Sequence, residues 1–176
     1  VLLALGYDAR VSSASIKNPD SIKEKVCSDV LNRIGKIPDN PLEIILETGD
    51  PMMAVTAGIV EGFPGTVLLA GGTQMLAVTA IIRALGKQIP EVVTTVYVRD
   101  DPNASCDKTA QDIGTPITYV DPGFGEIGHS GLVRYCIGEV KEGMGCGGAM
   151  MLGNLMNHSP EEITQAILSL ISEYSP

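Results

Sequence analysis

Hydrophobic and polar positions along this chain alternate between two periods, and the switches predict an alternation of helices and strands. Val1 to Leu5 read as the tail of a helix stopped at Gly6, and Val11 to Ser15 as a polar turn. "NPDSIKEKVCSDVLNRIG" places Ile22, Val26, Val30 and Ile34 on one face of a helix that Asn18 or Asp20 can cap and Gly35 ends. "NPLEIILETGD" predicts a short helix from Pro41 to near Gly49, and "PMMAVTAGIVEG" a buried, small-residue helix opened by Pro51. "GTVLLAGG" followed by "TQMLAVTAIIRALG" reads as strand, tight turn and helix. "EVVTTVYV" is the most β-prone segment, "NASCDKTAQDIG" can form a helix, and "PITYV" a short strand. "DPGFGEIGHSG" is a glycine-punctuated loop, while "GLVRYCIG" and "GAMMLGNLM" are apolar helix candidates. The last helix carries a capping box, with Ser159 at the cap, Pro160 first and Glu162 third.

This alternation predicts an α/β domain, built as a three-layer, Rossmann-like arrangement around a mainly parallel sheet. Ligands of such sheets sit beyond the carboxyl ends of the strands. That rule points to Gly71-Gly72-Thr73-Gln74 after one strand and to Asp121–His129 after another. The 176 residues suffice for one domain with a core. The opening "VLLALGYDAR" does not start with Met and lacks the basic start of a signal peptide, so we expect the C-terminal part of a longer chain.

Composition narrows the partners. Charged residues make up 19% and the net charge is −9, with no Lys/Arg cluster and 4% aromatics. A nucleic-acid surface needs phosphate-neutralising cations and stacking rings, and neither pattern is present. No apolar run reaches the length of a membrane span. The four cysteines, Cys27, Cys106, Cys136 and Cys146, have no C-x-x-C spacing and read as reduced, mostly buried thiols of a cytoplasmic protein rather than a zinc site. No metal or cofactor is expected.

Three stretches carry candidate chemistry. In "LLAGGTQM", the glycines let backbone approach a ligand and the helix start favours an anion; a plain tight turn capped by Thr73 is the alternative. The dinucleotide fingerprint G-x-G-x-x-G is absent there. In "DPGFGEIGHSG", backbone donors could cradle a phosphate, with Glu126 and His129 nearby; a surface turn with a capping histidine is the alternative. In "VKEGMGCGGA", one carboxylate, Glu142, precedes a run of glycines. Partial desolvation would make it a better base, whereas at the start of a helix it would only complement the helix dipole.

Taken together, "VSSASIKNPDSIKEKV", "NPLEIILETGDPMMAVTAGIVEG", "VLLAGGTQMLAVTAII", "DPGFGEIGHSG" and "VKEGMGCGGAM" resemble, in order, nicotinate-nucleotide–dimethylbenzimidazole phosphoribosyltransferases, most closely their archaeal branch. The resemblance implies transfer of phosphoribose from nicotinate mononucleotide to a benzimidazole-type base, giving the α-ribazole phosphate of cobamides. It implies Glu142 as general base, matching the first residue of a shorter family E-G-[ST]-G-A motif. It implies Lys25 as a phosphate contact, with Glu126 and Gly128 matching a family S-x-E-x-G segment near that phosphate. Phe124 stands at the serine position, leaving the backbone of Gly125 to replace the hydroxyl. Gly71, Gly72, Thr73, Gln74 and Gly143 complete the implied substrate site. The family's upstream G-G-T-T-T-type loop has no counterpart here. A homodimer is implied, and a non-catalytic nucleotide-binding domain or a nucleosidase are the other readings of the same residues.

Overall fold

In the computed structural model, the fold centres on three short parallel strands. The structure describes residues 1–8, 20–102, 105–139 and 145–174, with backbone alone at 20 and 21. Strands β1 (Leu68–Ala70), β2 (Glu91–Thr95) and β3 (Ile117–Val120) lie in the order β1-β2-β3, with Leu69 opposite Val92 and Val93 opposite Thr118. Parallel neighbours need crossover connections. Helix α4 (Thr73–Ala84) supplies the first, and α5 (Val96–Arg99) with α6 (Cys106–Ile113) the second. α4 and α6 pack on each other, so both crossovers cover one face of the sheet.

The core is that face. Leu76, Val78, Ala80, Ile81 and Ile82 of α4 are buried against Leu69, Val92 and Ile113. The polar groups caught inside are paired, as burial requires. The Thr115 hydroxyl bonds Thr79 Oγ1 at 2.9 Å, Thr79 Oγ1 donates to the Leu76 carbonyl at 2.9 Å, and Arg83 donates to the Ile113 carbonyl. Helix α7 (Cys146–Leu155) contacts all three strands, and its start meets Ala70, whose neighbour Leu69 faces the α4 side. Successive strand residues point to opposite faces, which puts α7 on the second face. An α/β architecture with a small parallel sheet therefore stands.

Local signals set the helix ends. α1 (Asp20–Ile34) ends at Gly35, with φ +67°. α2 (Pro41–Thr48) is capped by Asn40 Oδ1, which accepts from Leu42 N at 3.0 Å; α3 (Pro51–Gly62) is capped by Asp50 Oδ1, which accepts from Met53 N at 3.1 Å. α8 (Pro160–Tyr174) shows the full capping box. Ser159 N donates to Glu162 Oε2 at 2.9 Å, and Glu162 N donates to Ser159 Oγ at 3.2 Å.

Several expectations are corrected. Val1 to Leu5 make a turn, with Leu5 N donating to the Val1 carbonyl at 3.0 Å, before Gly6 reverses at φ +87°. Five residues pay the cost of helix nucleation without the bonds that follow it. Ile22 and Val26 face solvent, at 62% and 54% exposure, because α1 packs on α2 along other positions. α3 buries only Ala57 among its twelve residues. The segment "EVVTTVYV" leaves the sheet at Thr95 and turns into α5, and "GLVRYCIG" makes a 3-10 turn, Leu132–Tyr135, in place of an α-helix. Cys106 alone among the cysteines is buried; Cys27 and Cys136 are exposed and Cys146 is half-buried. Among the described residues no helix is long and apolar enough to cross a membrane. Asn18 lies outside the described residues.

Candidate ligand site at the carboxyl ends of the strands

Two glycine runs, 74 residues apart in sequence, meet where β1 ends. After Ala70 the chain turns at Gly71, whose φ of +147° is rarely adopted by a residue with a side chain. The Gly71 N–H donates to the Val93 carbonyl at 3.0 Å, which fixes the turn to the neighbouring strand. Gly72 is the N-cap of α4, and no side chain caps that helix. Thr73 is therefore the first helical residue and not the cap. The opening N–H groups of α4, beginning at Thr73 and Gln74, lack intrahelical acceptors, and Gln74 is exposed.

The second run arrives from α7. Gly145 is its N-cap, at φ +86°, again with no side-chain cap. A Cβ on Gly145 would lie 3.1 Å from Ala70 Cβ. Inside the helix the approach is closer still. A Cβ on Gly148 would lie 2.3 Å from Ala70 Cβ, and one on Gly147 would lie 2.4 Å from the Thr94 carbonyl carbon. These glycines have a mechanical role: they let the α7 backbone rest directly on β1 and β2. Two helix N-termini with glycine N-caps, each the positive end of a helix dipole, thus flank the Ala70–Gly72 turn. Glu142 and Gly143 themselves lie outside the described residues.

The third component follows β3. Asp121 Oδ1 accepts from Gly123 N at 2.9 Å, and Glu126 N donates to the Gly123 carbonyl at 3.0 Å. Phe124 does not face the loop's outer surface. It is 3% exposed and packs edge-on against Tyr135, with ring centroids 4.8 Å apart, while Tyr97 completes the cluster at 5.5 Å from Tyr135. Gly125, Glu126 and Gly128 remain exposed, the last at φ +78°. His129 Nδ1 accepts from Gly131 N at 3.2 Å and the His129 carbonyl accepts from Leu132 and Val133 N, so the imidazole organises a turn. Burial, with Cys136 close by, raises the Tyr97 phenol above its ordinary range.

Lys25 is exposed on α1, and no ion pair joins it to these loops among the described residues. Sequence reasoning missed Tyr97, Tyr135 and Thr94. Scarcity was the available signal for the rings: the chain has five tyrosines, two phenylalanines and no tryptophan, and three of these gather under one loop. At the opposite end of the sheet, a cleft of about 850 Å³ opens beside the first residues of β1 and β2. Phe63, Pro64 and Ile89 line it, and Lys87 pairs with Glu61 there. Among the described residues no group of His, Cys, Asp and Glu is placed to hold a metal.

No family model matches the chain. Curated relatives do match it closely. It is 44% identical over 176 residues to the UPF0284 protein of Thermococcus gammatolerans, covering 97% of this chain and 53% of that protein. It is 41% identical over 172 residues to the UPF0284 protein of Methanosarcina mazei, covering 92% and 49%. With that of Methanothermobacter thermautotrophicus the identity is 39% over 181 residues, covering 97% and 50%. The chain thus spans about half the length of the curated relatives it matches, and over that span it is similar to archaeal UPF0284 proteins.

Proposed function

We propose that this chain carries the nucleotide-binding and base-activating half of a phosphoribosyltransferase that joins nicotinate mononucleotide to a benzimidazole-type base. One observation supports the reading above the others: the "LAGGTQM" and "GCGGA" stretches converge at the end of β1, where α4 and α7 both begin at a glycine N-cap. That is where open parallel sheets receive ligands, and where backbone N–H groups favour a phosphate.

The chemistry suits a single carboxylate. Nicotinate leaves from a pyridinium glycoside and needs no acid to expel it. The incoming base must lose an N–H proton as its other ring nitrogen attacks the anomeric carbon. Glu142, three positions before Gly145, takes that proton in this reading, a contribution of about 10²- to 10⁴-fold in rate. The same carboxylate stabilises oxocarbenium character at the ribosyl carbon. Gly125 and Gly128 offer backbone donors to the phosphate, Glu126 lies between them, and Lys25 supplies a cation from α1. Gly143 gives the base room beside Glu142. The reading makes the protein a cytoplasmic homodimer with a Rossmann-like core, needing no metal.

The test is nicotinate release from nicotinate mononucleotide by the intact protein, with and without 5,6-dimethylbenzimidazole. Base-dependent release that Glu142→Gln abolishes, with nucleotide binding retained, supports the proposal. Binding without release for every base tried would make the protein a nucleotide-binding domain. Release with no acceptor present would make it a nucleosidase.

A further inference from the structure

The loop after β3 allots its N–H groups selectively. Gly123 N goes to Asp121 Oδ1, Phe124 N to the Tyr97 hydroxyl at 3.2 Å, and Glu126 N to the Gly123 carbonyl. Among the described residues, the N–H groups of Gly125 and Gly128 have no acceptor, and both residues are exposed. The allotment depends on a residue from another element. Tyr97 lies on α5, directly beyond β2, and reaches 27 positions along the chain to take the Phe124 amide. Its ring stacks at 19° on Phe124, with Tyr135 closing the cluster from the 3-10 turn.

We infer that Tyr97 is a positioning residue for anion recognition: its hydroxyl and ring hold the 123–126 backbone so that the Gly125 and Gly128 N–H groups face outward. The inference rests on the proposed phosphate site and adds a residue that the motifs do not contain. The buried Phe124 ring anchors the loop from below, so its substitution for a serine does not leave a hole at the phosphate. Cys136 limits the other side: a Cβ at Gly125 would lie 3.0 Å from its Sγ, so that position takes no side chain without displacing the thiol. An N–H released from Tyr97 would turn to solvent and let the loop adopt other backbone states.

Tyr97→Phe keeps the ring and removes only the acceptor oxygen. Backbone amide NMR of the full chain is the readout, with inorganic phosphate and nicotinate mononucleotide as probes. Wild type should show shifts at Gly125 and Gly128 on titration, and slow exchange at Phe124. In Tyr97→Phe, Phe124 exchange should accelerate and nucleotide affinity should fall about 2- to 10-fold, the range one neutral hydrogen bond spans, with Glu142-dependent turnover at saturation unchanged. Equal affinity in the variant overturns the positioning role and leaves the proposed function standing. Fast exchange at Phe124 in wild type overturns it without any variant. Absence of nucleotide binding in wild type overturns the proposed function and this inference together.

Discussion

Helices α3 and α7 are near twins in sequence and opposites in place. "PMMAVTAGIVEG" and "CGGAMMLGNL" each hold a Met-Met pair, several small residues and scattered branched apolars. α7 lies on three strands and buries Gly147 and Met150. α3 rests on α2 and α4 and leaves Val55 and Ile59 at 61% and 55% exposure. Their glycines differ most. A Cβ at Gly58 would meet nothing within 4 Å, whereas one at Gly147 would enter the backbone of Thr94. α7 leaves its own Leu152 and Leu155 at 58% and 63% exposure, so apolar content did not decide which helix lies on the strands. The sheet did, because only a helix without side chains along one line can approach a strand that closely.

The same substitution should break this symmetry in opposite directions. Gly147→Ala must push α7 off β2, since the atom it meets is backbone and cannot rotate away. We expect a loss of about 3 kcal/mol, typical of overpacking, read from the urea midpoint, with loss of any ligand binding at the Gly71–Gly72 turn. Next in size is the cap. Asp50→Ala should cost about 1 kcal/mol, because Met53 N loses its acceptor at the start of α3. The N-cap of α7 is a glycine, so the equivalent substitution removes no capping side chain there. Gly58→Ala should stabilise by about 0.5–1 kcal/mol, since an exposed helix interior gains from reduced backbone freedom. A destabilising Gly58→Ala would mean that the α3 surface is covered in the protein.

The smallest effect is a pH response from the half-buried phenols. The Tyr97 phenol titrates above its ordinary value near 10, chiefly because it is partly desolvated. Its contribution to stability is therefore complete below pH about 10 and is lost as pH rises through the folded-state value. Thermal midpoints should stay flat from pH 7 to 9 and fall above 10, and Tyr97→Phe should fall less steeply. Tyr119, whose phenol is also raised by burial and donates to Asp107 at 2.5 Å, contributes in the same direction and needs its own Phe control.

Much of the scaffold was legible because its signals are local. Pro41 and Pro51 mark helix starts whose caps, Asn40 and Asp50, stand immediately before them. The Ser159–Glu162 box closes within one turn. β1, α4 and β3 follow from short apolar runs and helical spacing bounded by glycine. The glycine turn at 71–72 was also legible as a place where backbone bends. The direction of Phe124 was not, since its place in a glycine-rich loop says nothing about which way a ring will point. Nor was the end of β2, where β-prone Val96 to Val98 coil into α5 because the chain has passed the last paired residue.

By itself, then, the sequence determined where helices and strands begin, which turns need glycine, and the net negative charge that leaves an anion to be met by placed donors rather than by a broad field. Those properties depend on neighbours a few residues away. Only the tertiary structure decided that the glycines of α7 serve contact with Ala70 and Thr94, that two helix starts share one strand end, and that Tyr97 takes the amide of Phe124. Each of these joins groups 27 or more residues apart, and such pairs exist only once the sheet has set their distance.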